Sequence, residues 1–136
     1  MRKSLILAIA IVLLCAVLTG CTSYFFSGVE TGYSGSQYGT VMNGHFGSFN
    51  GEKGARFSLK QGDRISISYS LSCESGTLTL TFEDKSGAVL FQNSDPSGTE
   101  DITADADQAY TLRITADSAK TGSYDITWSV TKPENT

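Results

Sequence analysis

From Gly39 onward, apolar and polar residues alternate with a period of two. Arg64 to Cys73 sets Ile65, Ile67, Tyr69, Leu71 and Cys73 on one face and Ser66, Ser68 and Ser70 on the other. Thr77 to Glu83 sets Leu78, Leu80 and Phe82 against Thr77, Thr79 and Thr81. Ala109 to Ala116 repeats the pattern with Tyr110, Leu112 and Ile114, and Ser123 to Val130 repeats it with Tyr124, Ile126, Trp128 and Val130. Shorter alternating runs are Ala55 to Lys60, Ala88 to Gln92 and Glu100 to Ala104. Thr40 to Phe49 is a ragged strand interrupted by Gly44 and Gly47. Turn-forming residues separate the runs: Gln61 to Asp63, Asp84 to Gly87, Asn93 to Gly98, Asp105 to Gln108, and Asp117 to Gly122. No run carries a helical period. One apolar and one wet face per strand is the signature of antiparallel sheets. The pattern predicts an all-β domain: an antiparallel β-sandwich, jelly-roll-like, of about eight strands, with a small closed barrel as the rival architecture.

The chain before Gly39 reads differently. Arg2 and Lys3 precede an apolar run from Leu5 to Leu18, too short for the roughly 20 residues that a spanning helix needs. A basic start and a short apolar stretch have the layout of a signal peptide. The run ends on Leu18-Thr19-Gly20-Cys21, which resembles the lipobox of bacterial lipoproteins. That resemblance implies cleavage between Gly20 and Cys21, a diacylglyceryl group on the Cys21 thiol, and a location on the cell membrane or outer membrane, outside the cytoplasm. Residues 1–20 are then a lipoprotein signal peptide. Residues 21–38, rich in Gly, Ser and Tyr, are the lipidated cysteine and a flexible spacer. Residues 39–131 are the sandwich, and residues 132–136 a C-terminal tail. Tyr24, Phe25 and Phe26 have two readings, the headgroup layer or packing against the domain.

Composition narrows the partners. Removing Arg2 and Lys3 from ten cations leaves eight against 14 acids, a net charge of −6 for the mature chain. Such a surface disfavours nucleic acid. The expected partners are the membrane, through the lipid anchor, and an envelope protein or glycan. With Cys15 in the leader and Cys21 acylated, Cys73 stands alone, and its parity with Ile65, Ile67, Tyr69 and Leu71 predicts an inward, inert thiol.

Three stretches, Phe57 to Ser70, Gly76 to Phe91 and Thr99 to Trp128, resemble the bacterial pre-peptidase C-terminal domain pattern of strands, Gly-centred turns and a closing Gly-x-Tyr strand. The resemblance spans about residues 54–130 and implies a noncatalytic accessory sandwich. It departs from the pattern at Gln108-Ala109-Tyr110, where the family has Gly-x-Tyr.

Candidate chemistry is sparse. Asp95, Glu100, Asp101, Asp105 and Asp107 are weak calcium-ligand candidates, read mainly as a solvated acidic edge that discourages sheet-to-sheet association. Trp128 and Tyr124 have the chemistry of a sugar-stacking platform, but their parity with Ile126 and Val130 assigns them to the core. His45 is the only histidine and has no second imidazole for a zinc site. Gly32-Tyr33-Ser34-Gly35-Ser36 lacks the Gly-x-Ser-x-Gly spacing of a nucleophile elbow. The expectation is a noncatalytic binding or structural module with no catalytic residue, no metal and no cofactor. The alternative is a carbohydrate-binding or calcium-dependent adhesion module.

Overall fold

The structure is a computed structural model that describes residues 22–133. The expected signal peptide, its cleavage site at Gly20 and Cys21, and residues 134–136 of the tail lie outside those residues. Seven strands follow in order: β1 (Ser23–Thr31), β2 (Ser34–Tyr38), β3 (Val41–Leu59), β4 (Arg64–Asp84), β5 (Val89–Asn93), β6 (Ser97–Thr103) and β7 (Gln108–Thr131). All pairings are antiparallel.

The all-β antiparallel sandwich is as the alternation predicts, but its strands are divided differently. Three pairs of the eight expected short strands fuse into β3, β4 and β7, which run 19, 21 and 24 residues. β1 and β2 follow one another along the free edge of β3, opposite Ser48–Arg56 and Val41–His45. β5 and β6 do the same along β4. The chain therefore makes five antiparallel passes, in the spatial order β1/β2, β3, β7, β4, β5/β6.

This five-pass sheet is doubled over across its strands. Phe57 opposes Tyr110 in register, while Trp128, far along the same β7, stacks on the Phe57 ring at 5.5 Å and 14°. A straight strand would separate residues 110 and 128 by about 60 Å. The fold-over places β2, residues 41–46 of β3, 122–131 of β7, 64–73 of β4, and β6 in one layer, here layer A. Layer B holds β1, residues 48–59 of β3, 108–119 of β7, 75–84 of β4, and β5. The apolar faces of both layers form one core with Met42, Phe49, Ile65, Ile67, Leu80, Phe82, Leu112, Ile114 and Ile126 fully buried.

The crease is made by irregular backbone. β3 slips register between Phe49 and Gly51, and β4 slips between Ser75 and Thr77. Ser118 and Thr121 of β7 take positive φ values of 49° and 46°. In β4 the slip reverses which parity faces inward, so odd positions are buried in residues 65–71 and even ones in residues 78–82. Gly51 (φ 144°) sits opposite Gly28 (φ 115°); a Cβ on Gly51 would run into the Ser27 carbonyl oxygen.

Residues 23–38 are not the expected flexible spacer. They form β1 and β2, held by backbone pairing to β3, and Tyr24 packs against the core. The Phe25 ring lies over Gly54 and carries the Arg56 guanidinium at 4.5 Å. The glycines and serines that read as a linker instead let an edge strand approach its neighbour closely. The folded domain thus begins at Ser23 rather than Gly39.

All four connections between passes lie at the end opposite the crease. Residues 39–40 and 85–88 close hairpins, and residues 60–63 and 104–107 arch between the layers. The first described residue, Thr22, and the last, Pro133, are at this same end. The arches are tied together: Gly62 N–H donates to Ala104 O at 2.9 Å, and Ala104 N–H donates to Asp63 O at 2.8 Å. Buried Asp63 accepts from Lys60 N–H and Lys132 Nζ, each at 2.9 Å.

Candidate functional site

The doubled sheet leaves two wet faces, and their polar groups are used differently. On layer B side chains pair with one another. Arg113 bridges Glu52 at 3.3 Å and Glu83 at 2.8 Å, Thr79 pairs with Ser94, and Gln92 donates to Thr81. On layer A, Ser68, Ser70, Ser97, Thr99, Ser123, Thr127 and Asp125 form no side-chain hydrogen bond or ion pair with another described residue. Two shallow clefts cross this face. One, of about 420 Å³, runs over Ser68, Ser97, Thr99 and Thr127; the other, of about 460 Å³, runs over Asn43, His45 and Ser123. Ser70 and Asp125 line both. The two clefts thus join into a strip across β3, β7, β4 and β6. Three strand spacings make that strip about 14 Å long. Its lining is hydroxyl, amide, imidazole and one carboxylate, with no cation.

The sequence explains this strip. In layer A the outward positions of β4 are Ser66, Ser68, Ser70 and Ser72, short side chains on an alternating strand. The register sets Ser70 opposite both Asp125 and Ser97. Asn43 is opposite Asp125, and His45 is opposite Ser123. His45 is exposed, and no hydrogen bond joins it to Asp125 or to a serine, so no relay links a nucleophile to a base.

A third concavity, larger than either cleft at about 670 Å³, opens at the loop end between the layers. Its floor is the Phe57–Trp128 stack with Leu59, Ala109 and Val130. Its rim carries Thr22, Thr40, Lys60, Lys85, Asp107 and Lys132. Lys132 is engaged with Asp63, and Lys60 stands 3.9 Å from Asp107 in an exposed pair.

The other candidates from the sequence are dispersed. Trp128 and Tyr124 are 5% and 1% exposed, so neither is a surface platform. Val130 shares their parity but lies past the core and is 37% exposed. Asp105 and Asp107 belong to the second arch. Asp107 accepts from Gln61 N–H at 2.8 Å, and Tyr110 OH donates to Asp105 at 3.4 Å. Glu100 and Asp101 are on β6, and Asp95 is in the loop before it. Burial raises the pKa of the Tyr69 hydroxyl, and the charges of Asp95 and Glu100 add to that shift. Among the described residues, no three His, Cys, Asp or Glu side chains come together as a ligand group. Cys73 is a free thiol, partly buried against the core at the crease, with Sγ 3.5 Å from Gly76 O.

One cluster was not anticipated. Lys53, 4% exposed, donates to Glu30 Oε1 and to Tyr124 OH, both at 2.6 Å, and lies 3.9 Å from the centre of the Tyr33 ring. Burial and the neighbouring Glu30 charge raise the pKa of the Tyr124 hydroxyl strongly, which keeps it a neutral donor and acceptor. The signal in the sequence is parity: Lys53 shares the inward face of Ala55, Phe57 and Leu59.

No family model matches the chain, and no curated protein does. Solved structures do. PliG, a periplasmic inhibitor of g-type lysozyme from Aeromonas hydrophila, is similar with a TM-score of 0.52 at 12% identity, over 71% of this chain and 93% of that one. A carbohydrate-binding module of Cellvibrio mixtus lichenase 5A, in complex with cellotriose, aligns with a TM-score of 0.41 at 16% identity, over 82% and 98%. A family 11 carbohydrate-binding module of a Clostridium thermocellum cellulosomal cellulase aligns with a TM-score of 0.41 at 12% identity, over 85% and 89%. The likeness to PliG is one of fold.

Proposed function

We propose that the chain is a lipid-anchored lipoprotein of the bacterial cell envelope. Its sandwich is a noncatalytic binding module, and its binding face is the outer face of layer A. The lipobox-like Leu18-Thr19-Gly20-Cys21 supports the anchor. A diacylglyceryl group supplies two acyl chains, enough for stable attachment where a single chain gives only marginal binding. With Thr22 at the loop end, Cys21 tethers the molecule by that end and leaves the sheet faces free for a partner.

The observation that carries the binding reading is the strip of unspent hydroxyls around Asp125 and Ser70. Its chemistry favours a neutral glycan. Sugar hydroxyls both donate and accept, as serine and threonine do, and an unpaired carboxylate accepts two hydrogen bonds from neighbouring hydroxyls. No exposed aromatic lines the strip, so recognition is by hydrogen bonding and affinity per ring is modest.

The test is retention of the full-length, detergent-solubilised protein on immobilised envelope polysaccharide and on a glycan array. Asp125→Asn and Ser70→Val lower retention about tenfold, the effect of losing one charge-assisted hydrogen bond. Both leave the thermal midpoint within a degree or two, as expected of exposed positions. Equal retention by wild type and both variants would overturn this assignment of the binding face.

A further inference from the structure

The groove at the loop end serves neither the core nor the glycan strip. It is larger than either cleft on layer A and has an apolar floor of Phe57, Leu59, Ala109, Trp128 and Val130. We infer that this groove holds an acyl chain of the lipid on Cys21; the inference rests on the anchor reading given above.

Position is the main argument. Thr22 is part of the groove rim, and consecutive Cα atoms are about 3.8 Å apart. A thioether on Cys21 therefore starts at the mouth of the groove, with no linker to cross. A ligand tethered so closely has an effective concentration of about the millimolar range, so weak intrinsic affinity is enough to fill the site. The lining chemistry agrees. Lys60, Lys85 and Lys132 stand on the rim, where a lysine's alkyl stem extends an apolar wall; the Lys132 ammonium is bound to Asp63. The bilayer surrounds an acyl chain on every side and the open groove does not, so the groove fills when the bilayer is absent. The domain then carries a built-in shelter for one chain when the anchor is out of the membrane.

The experiment feeds a diazirine-bearing palmitate analogue to bacteria expressing the full-length chain, purifies the lipidated protein, dilutes it out of detergent, irradiates it and maps the cross-linked peptides by mass spectrometry. The expected result is acylated Cys21 with intramolecular cross-links to segments 57–60, 108–109 and 128–132. Val130→Trp, which fills the groove, and Thr40→Phe, which narrows its exposed rim, lower those cross-links severalfold without changing acylation at Cys21. Acylated Cys21 with no intramolecular cross-link to those segments, or cross-links unaffected by both variants, overturns the groove assignment and leaves the anchor standing. A Cys21 without acyl label overturns both.

Discussion

Lys53 and Glu30 form an ion pair of 2.6 Å, with the side chain of each 5% exposed. The pair joins the edge strand β1 to β3. Tyr124 from layer A receives a hydrogen bond from the same ammonium at 2.6 Å, and the Phe49 and Tyr33 rings flank it. The charge is thus placed where edge strand, central strand and opposite layer meet, and it fixes the register of an otherwise Gly- and Ser-rich edge. Breaking such a pair leaves an uncompensated buried charge. Glu30→Gln and Lys53→Met are each expected to destabilise the fold by about 3–5 kcal/mol, whereas the double variant Glu30→Leu/Lys53→Met lies close to the wild type. Urea unfolding checks this; single variants within half a kcal/mol of wild type would show that the pair does not hold the edge.

Asp63 makes stability depend on acid. Burial, the largest single influence, favours its neutral form. The Lys132 ammonium, the Lys60 backbone amide and the charge of Lys60 outweigh that and hold the carboxyl below its ordinary value of 3.8. The unfolded chain therefore takes up this proton at higher pH than the folded one. The stabilisation is fully present above 3.8 and is lost as pH falls through the lowered folded value. Asp63→Asn should lower stability at neutral pH and flatten the acid limb of the curve of stability against pH. A variant curve parallel to the wild-type curve below pH 3.8 would contradict it.

The crease depends on Gly51. At φ 144° and facing Gly28, it leaves no room for a methyl group. Gly51→Ala is expected to cost about 1–3 kcal/mol through backbone strain, although alanine is otherwise the better residue in a strand. Gly87, at φ 89° but with open space around its Cβ position, gives a smaller loss on the same change. Equal losses at the two positions would mean that the close approach of β1 to β3 is not what requires glycine at 51.

These residues also show what the sequence makes legible. Alternation identifies the inward faces at Ile65 to Leu71, Tyr110 to Ile114 and Tyr124 to Trp128, because burial on one side of a strand imposes a period of two. It does not show that 64–73 and 77–83 are one strand. The bend between them reads as a turn, and the register slip reverses parity just where continuity would otherwise be visible. The edge strands are hidden for another reason. Gly28, Gly35 and the serines around them carry no apolar signal, since pairing there rests on backbone contact. The layer A strip is a matter of register: only pairing brings Asp125, Ser70 and Ser97 into one row. Lys53 keeps the parity of Ala55, Phe57 and Leu59, but Gly51 and Gly54 beside it carry no apolar signal that would extend the run back to it.

The central claim is that this sandwich hangs from the membrane by its loop end through a lipid on Cys21. Mass spectrometry of the N-terminal peptide of the protein, purified from bacterial membranes, tests it most directly. The account predicts a chain that begins at Cys21 and carries the added mass of a diacylglyceryl group. A free thiol at that position, with residues 1–20 still attached, would contradict it.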